Sequence, residues 1–396
     1  MARTYFTGFE VADGNANGVG RVDITQLGSG CSWETTIHRG NGQPGSTRSL
    51  KVVAASGTQC IINLFRATAN SPYLRFYIRV TVRPATTARP IYGATSSLHI
   101  DLNPNGTLSV VNNTTPIGTS TTALTDTARW YMVELRISNG SSVTVLQIDG
   151  IAEVTGSPSS WSISNFMGAA GTVADTYTAY FDDFSQDNSA FPGPGNVVLL
   201  LPISDSSITN WTAGAGAGSS LFEAINNLPP AGVASASETN TTNIESSSNS
   251  GTASYSANMN YLADLGAQAG ATIVALEQLV VHGEDIATGA KTGSFELASN
   301  PVVGATAFTF GEGDSGAHVA YADAASNWKL SSLVTTTPSM DINSVTNMRL
   351  VKTDTTTRTG CVCFMGIYVE YVPAATVTPP NLPKVIRQAV SRASYR

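Results

Sequence analysis

Apolar and polar residues alternate with a period of two through much of the chain. Between Tyr131 and Ile137, the residues Tyr131, Val133, Leu135 and Ile137 fall on one side and Glu134 and Arg136 on the other, the pattern of a strand with one buried face. The same alternation sets Leu74, Phe76, Ile78, Val80 and Val82 against Arg75, Tyr77, Arg79, Thr81 and Arg83; one face reads as core and the other as solvated. Asp149-Gly150 then predicts a two-residue hairpin turn, since glycine accepts the positive φ such a turn demands. Leu98-His99-Ile100-Asp101 and Thr107-Leu108-Ser109-Val110-Val111 flank Asn103-Pro104-Asn105-Gly106, a second hairpin with Asn-Gly chemistry. Many short strands joined by turns of this kind predict a sandwich.

The pattern breaks at Asp187 to Asn196, where Phe191-Pro192-Gly193-Pro194-Gly195 cannot hold a strand ladder and marks a linker. A new core begins with the run Val197 to Leu201. Leu221 to Leu228 reads as a short helix or turn, and the Ser/Thr/Asn-rich segment from Ser235 to Ser254 as an exposed loop or edge. Thr272 to His282 and Cys361 to Val372 are apolar on both faces, as covered strands are, and the second would close its domain. The expectation is an all-β chain of two tandem β-sandwich, jelly-roll-like domains, residues 1–186 and 197–373, joined by a linker at 187–196 and followed by a short C-terminal arm, 374–396. No fixed-period repeat is present.

At 396 residues the chain is long enough for full hydrophobic cores without disulfide staples. Charged residues make up only 12%, about half the usual globular share, so solubility rests on hydroxyls and amides. A net charge of −7 without any basic stripe excludes a general nucleic-acid binder. No run reaches the roughly 20 apolar residues of a membrane span. Met1-Ala2-Arg3-Thr4-Tyr5-Phe6 has no apolar core of a secretion signal, the expectation of a product that stays inside its cell or leaves by lysis. Cys31, Cys60, Cys361 and Cys363 are read as reduced, buried thiols. After Glu370 the chain carries no acidic residue, while Lys384, Arg387, Arg392 and Arg396 are basic. With Pro383 to start a helical turn and Val385 and Ile386 on an apolar face, Lys384, Val385, Ile386, Arg387 and Arg392 are expected to dock on a neighbouring subunit.

No catalytic centre is legible. Gly313-Asp314-Ser315-Gly316 imitates a serine-protease nucleophile motif, but none of His38, His99, His282 and His318 sits in the setting of a general base. Asp101, Asn103 and Asn105 imitate a calcium loop whose twelfth position is Asn112 rather than glutamate, so a plain hairpin turn is expected. Asp182 and Asp183 are adjacent on a strand and so face opposite sides, which is not the facing pair a glycosidase requires. They are the only candidates for a calcium ion at a loop rim, and no other cofactor is implied. Trp33 and Trp161 are the candidate stacking platforms for a sugar.

Several of these segments together carry a resemblance. The Asn-Gly hairpin of Leu98 to Val111, Trp130-Tyr131-Met132-Val133-Glu134-Leu135, Gln147-Ile148-Asp149-Gly150 and Tyr180-Phe181-Asp182-Asp183-Phe184 resemble the laminin-G/concanavalin-like jelly roll. The order continues through the Pro/Gly linker into Val197-Val198-Leu199-Leu200-Leu201-Pro202 and Asn210-Trp211-Thr212, and as a whole resembles structural proteins of tailed bacteriophages. The resemblance implies a non-enzymatic virion component on the capsid or tail surface: a decoration, spike or tail-fibre protein. It would be assembled in the host bacterial cytoplasm, anchored to other virion proteins and oligomeric, with a trimer favoured. The alternative is a carbohydrate-binding adhesin or receptor-binding fibre component that recognises a host-surface glycan; the third reading is a degenerate concanavalin-fold glycosidase.

Overall fold

The computed structural model describes residues 3–9, 30–39, 48–54, 60–63, 73–137, 143–156, 166–169, 175–213, 220–226, 244–246, 253–259, 271–284, 291–297, 305–310, 319–320, 329–341, 347–352 and 360–373. The described residues are almost entirely β, with one short helix, Leu221–Ile225, at the start of the segment read as a helix or turn. All strand pairs are antiparallel, in four sheets. Strands up to Asp187 build two of them and strands from Asn196 onward the other two.

In the first sheet the strands Ile151–Gly156, Val143–Ile148, Tyr131–Arg136, Tyr73–Val82, Tyr177–Asp187, Ser49–Ala54 and Cys31–Glu34 follow one another. The alternation read from the sequence sets its inner face. Leu74, Phe76, Ile78 and Val80 meet Tyr131, Val133 and Leu135, and together with Ile100, Leu102, Leu108 and Val110 of the opposing sheet they form one core. Phe76 stacks on Tyr92 at 5.6 Å. The Asp149-Gly150 hairpin forms as expected, with φ of +53° and +78°, and the Asp149 carboxylate accepts from Met132 N and Arg129 Nη2 at 2.9 and 2.8 Å. Turn chemistry and hydrophobic period therefore fix the same register.

The strand Tyr177–Asp187 is divided by a bulge. Residues 177–181 pair with Ser49–Ala54, and residues 184–187 pair instead with Arg3–Thr7. Asp183, at φ +47°, sits at the irregularity between Asp182 and Ser185. An extra residue in one strand re-aims the side chains around it. The strict alternation expected of Asp182 and Asp183 is therefore lost, and both carboxylates are buried on the outer side of the sheet.

The second half repeats the logic with longer strands. Thr272–Glu284 lies between Gly360–Val372 and Lys329–Asp341. Ile273, Leu276, Val280, Val362, Met365, Ile367 and Val369 enter the second core with Trp211, Tyr255 and Leu350. The opposite face is covered as well, as the all-apolar pattern required: Ala275, Leu279, Phe364, Tyr368 and, from Asn196–Leu200, Val197 and Leu199 are buried but belong to neither core. Phe6 of Arg3–Thr7 is buried in the same way.

Among the described glycines, Gly93 leaves the least room for a side chain. Its φ is +84°, and a Cβ there would come 2.4 Å from the Leu98 carbonyl oxygen. Gly93→Ala adds left-handed strain to a backbone clash, and should lower the unfolding free energy by about 2 kcal/mol or more, measured as a drop in the urea midpoint at unchanged m-value.

Candidate functional site

The polar face of the strand Tyr73–Val82 is not solvated along its length. Register places Arg75 opposite Glu134 on one side and Ser185 on the other, and the linker and the second half of the chain fold over this row. Arg75 is 0% exposed and Tyr77 6%, which corrects the expectation of a wet face. Arg75 Nη1 donates to Glu370 Oε1 and to the Gly193 carbonyl, both at 2.8 Å, and its Nη2 donates to the Asp183 carbonyl at 3.1 Å. Arg3 donates from Nε to Glu370 Oε2 at 2.7 Å, from Nη1 to Asp187 Oδ2 at 2.6 Å and from Nη2 to the Pro192 carbonyl at 2.8 Å. The Ser185 hydroxyl completes the shell of Glu370 at 3.1 Å. Glu370 comes from Gly360–Val372 in the second sandwich, so this network is the joint between the two halves.

A second cluster adjoins it. The Arg39 guanidinium lies 3.3 Å from the centre of the Tyr77 ring and bonds the Asp183 carboxylate and the Gly195 carbonyl. Arg39 N donates to Asp182 Oδ2 and Val197 N to Asp183 Oδ1, at 2.8 and 2.7 Å. Gly195 leaves room for the Arg75–Glu370 pair beside it, since a Cβ there would come 2.6 Å from Arg75 Nη1 and 3.1 Å from Glu370 Oε1. Gly193 N donates to Glu134 Oε1 at 2.7 Å. Each linker backbone group named here has a charged partner: the Pro192, Gly193 and Gly195 carbonyls take arginine donors and Gly193 N donates to Glu134.

Charge balance sorts the carboxylates. Burial alone would push the Glu370 carboxyl up, but Arg75 and Arg3, with the hydrogen bonds from Arg3 and Ser185, hold it below its ordinary value of 4.5. Burial likewise opposes ionisation of Asp187, and the Ser189 hydroxyl, the Ser189 and Ala190 N–H groups and Arg3 hold it below 3.8. Glu134 goes the other way: burial outweighs the Gly193 N–H, Arg75 and Arg3, and raises it above 4.5. Glu370 and Asp187 thus contribute stability that is present above their ordinary values and lost as pH falls through their lowered folded values. Glu134 contributes stability present below its ordinary value and lost as pH rises through its raised one.

One end of the same face stays open. Arg136, Tyr73 and Asp187 stand in one row across three adjacent strands. Asp187 turns inward to Arg3, while Asn188 is exposed and Tyr73, Arg136 and Phe191 are half-buried. The Tyr73 and Phe191 rings meet edge to face, 5.2 Å apart at 72°, and the Arg136 guanidinium lies 5.4 Å from the Tyr73 ring centre.

The sequence-derived candidates fall as follows. Asp182 and Asp183 take arginine and backbone N–H donors in the joint rather than lining an open rim. No group of three or more His, Cys, Asp or Glu side chains suited to a metal occurs among the described residues. Trp33 is half-buried against the first core, 6.3 Å from the Phe9 ring. Trp161, the arm residues Lys384, Val385, Ile386, Arg387 and Arg392, and the Gly313 to Gly316 motif lie outside the described residues. The calcium-loop mimic is a hairpin turn in which Asn105 Oδ1 accepts from Thr107 N and Asn103 Nδ2 donates to Ser109 Oγ. Cys31 is disulfide-bonded, which corrects the reading of four free thiols; burial, the basis of that reading, holds for either state. The side chains of the other three cysteines lie outside the described residues. Arg3, Arg75, Glu370 and Tyr73 were missed. The available signal was an arginine amid strand aromatics and a glutamate within an otherwise apolar closing strand.

No family model and no curated protein matches the chain. Among solved structures it is similar to the N-terminal CBM22-1-CBM22-2 tandem domain of Paenibacillus barcinonensis Xyn10C, at 12% identity over 93% of this chain and 97% of that one, TM-score 0.23. Domain 4 of AbnA, a GH43 extracellular arabinanase of Geobacillus stearothermophilus in complex with arabinotriose, matches at 13% identity over 47% and 93%, TM-score 0.33. The binding domain of botulinum neurotoxin serotype D/C matches at 10% identity over 87% and 98%, TM-score 0.31. At TM-scores this low the likeness carries no conclusion about ligand or partner.

The two buried glutamates should respond oppositely to neutralisation. Glu370→Gln leaves Arg3 and Arg75 facing an uncharged amide and should cost about 3–5 kcal/mol at pH 7, whereas Glu134→Gln, which mimics the form burial favours, should be neutral or stabilising. Denaturant unfolding of both variants checks this. The unfolding free energy of the unmodified protein should fall as pH is lowered below 4.5, and that slope should flatten in Glu370→Gln; a pH series of urea midpoints reads it.

Proposed function

We propose that the chain is a non-enzymatic recognition protein, a rigid tandem of β-sandwiches that engages a carbohydrate-bearing surface as an adhesin or receptor-binding fibre component does. The observation that carries this reading is the fate of the carboxylates. Asp182, Asp183, Asp187, Glu134 and Glu370 are all acceptors in the joint, so none of them is left as part of a facing acid and base pair of the kind glycoside hydrolysis requires. What remains half-exposed at the open end of this face is the aromatic pair Tyr73 and Phe191, a surface suited to binding.

A second reading keeps the same chain as a structural component of a tailed-phage virion, exposed on capsid or tail and fixed to neighbouring subunits as an oligomer, with a trimer favoured. It is supported by the resemblance of the linker and flanking strands to such proteins and by the joint, which suits a particle component that must hold its shape. The two readings meet in a receptor-binding virion protein, assembled in the bacterial cytoplasm and displayed on the particle.

A glycan array probed with the intact chain separates them. Saturable binding to a defined set of glycans is the expected outcome. Absence of glycan binding, with the chain found by mass spectrometry in purified phage particles, would leave the purely structural role.

A further inference from the structure

We propose that Arg89 forms a binding site for a single carboxylate group at one end of the first sandwich, apart from the joint and independent of the recognition reading. Arg89 opens the strand Arg89–Gly93 and pairs with Leu102 of Leu98–Leu102. Directly opposed residues share a face, and Leu102 belongs to the first core, so the arginine is turned inward and is only 6% exposed. Its Nε and Nη2 are buried and have no hydrogen-bond partner. Those two N–H groups lie along one edge of the guanidinium plane, an edge that meets a carboxylate through two parallel hydrogen bonds. The charge cannot be relieved by loss of a proton, and a buried ion without a counterion is costly.

The neighbouring groups do not supply the missing charge. Asp101 pairs with Pro90 and so takes the opposite face, where its Oδ1 lies 3.7 Å from His99 Nε2. The Tyr177 phenol is within electrostatic reach of Arg89, but burial raises it above its ordinary value of 10.0, and its O–H donates to the Pro90 carbonyl at 3.1 Å. The Asp175 carboxylate accepts from Thr86 N, Thr86 Oγ1 and Thr87 N. One enclosed positive charge selects a monoanion: a carboxylate balances it, whereas a dianionic phosphate would leave a buried negative surplus. The bonds from Thr86 and Thr87 to Asp175 are exposed and tie down the connection that leads into Arg89, so their exchange for water gives an anion its way in.

The test is urea unfolding of the full chain at neutral pH and matched ionic strength in sodium chloride, acetate, glucuronate and phosphate, with the neutral methyl ester of glucuronate as a control. A ligand that binds only the native state raises the unfolding midpoint with the logarithm of its concentration. Carboxylate should raise the midpoint above that in chloride, and the methyl ester should not. A response to both acetate and glucuronate assigns the site to a free small carboxylate; a response to glucuronate alone assigns it to a carboxylate carried on a sugar. Arg89→Met, which fills the place with an unbranched apolar chain, should unfold in chloride at the same or a higher urea concentration than the unmodified protein, and should lose the carboxylate response. Arg89→Lys keeps the charge without the fork and should weaken the carboxylate by about tenfold or more. Equal midpoints in chloride and in both carboxylates would overturn the site, as would a carboxylate response that survives in Arg89→Met. A larger response to phosphate than to carboxylate would overturn the ligand class. A marked loss of stability of Arg89→Met in chloride would mean that the guanidinium is already paired within the protein, and would overturn the proposal too. The recognition reading stands or falls separately, on the glycan array.

Discussion

Glu370, gripped by Arg75 and Arg3, is the interaction on which the arrangement of the molecule depends. It lies in the central closing strand of the second sandwich, and both of its oxygens are held by guanidiniums that belong to the first. Ion pairs this deep seldom add stability over an apolar filling of the same volume. Their worth here is geometric. A greasy interface tolerates sliding, whereas two planar guanidinium forks meeting one carboxylate admit a single register. The linker follows from it: the Pro192 and Gly193 carbonyls serve as acceptors for the same arginines, so the segment that could have been a hinge is part of the lock.

The lock also decides what the outer face of the first sheet can do. Its polar residues divide into a sealed set, Arg75, Glu134, Asp182 and Asp183, and an open row at Tyr73 and Arg136. The sealed set has acceptors and donors matched inside the protein, and burial raises the Glu134 carboxyl above its ordinary value against the pull of the Gly193 N–H, Arg75 and Arg3. The row at Tyr73 and Arg136 is half-buried and ends at the exposed Asn188.

Much of the fold was legible in the sequence. Period-two alternation at Tyr131 to Ile137 and at Leu74 to Val80 identified inner residues of the first core, while Val82, expected on the same face, is exposed at the strand end; Asp149-Gly150 fixed a hairpin, and the two-sided apolar runs around Leu276 and Met365 marked covered strands. The joint was not legible, and the reason is physical. Alternation reports which side of a strand is apolar, and it is silent on whether the polar side meets water or another charged surface. The partner of Arg75 lies 295 residues away, beyond the reach of any local pattern. Asp182 and Asp183 were read as calcium candidates on opposite faces of a strand, but the bulge at Asp183 turned both into joint residues where regular pleating would have separated them. Tryptophan drew attention as the stacking residue; Trp33 is half-buried against the first core, and Tyr73 and Phe191 beside the folded linker are half-buried as well.

Scanning calorimetry of the intact chain at neutral pH tests the joint most directly. If the Glu370 network couples the sandwiches as tightly as its geometry requires, the protein unfolds in one transition whose calorimetric and van't Hoff enthalpies agree. Two separable transitions, each with the enthalpy of a single sandwich, would contradict the claim that the molecule is one rigid body.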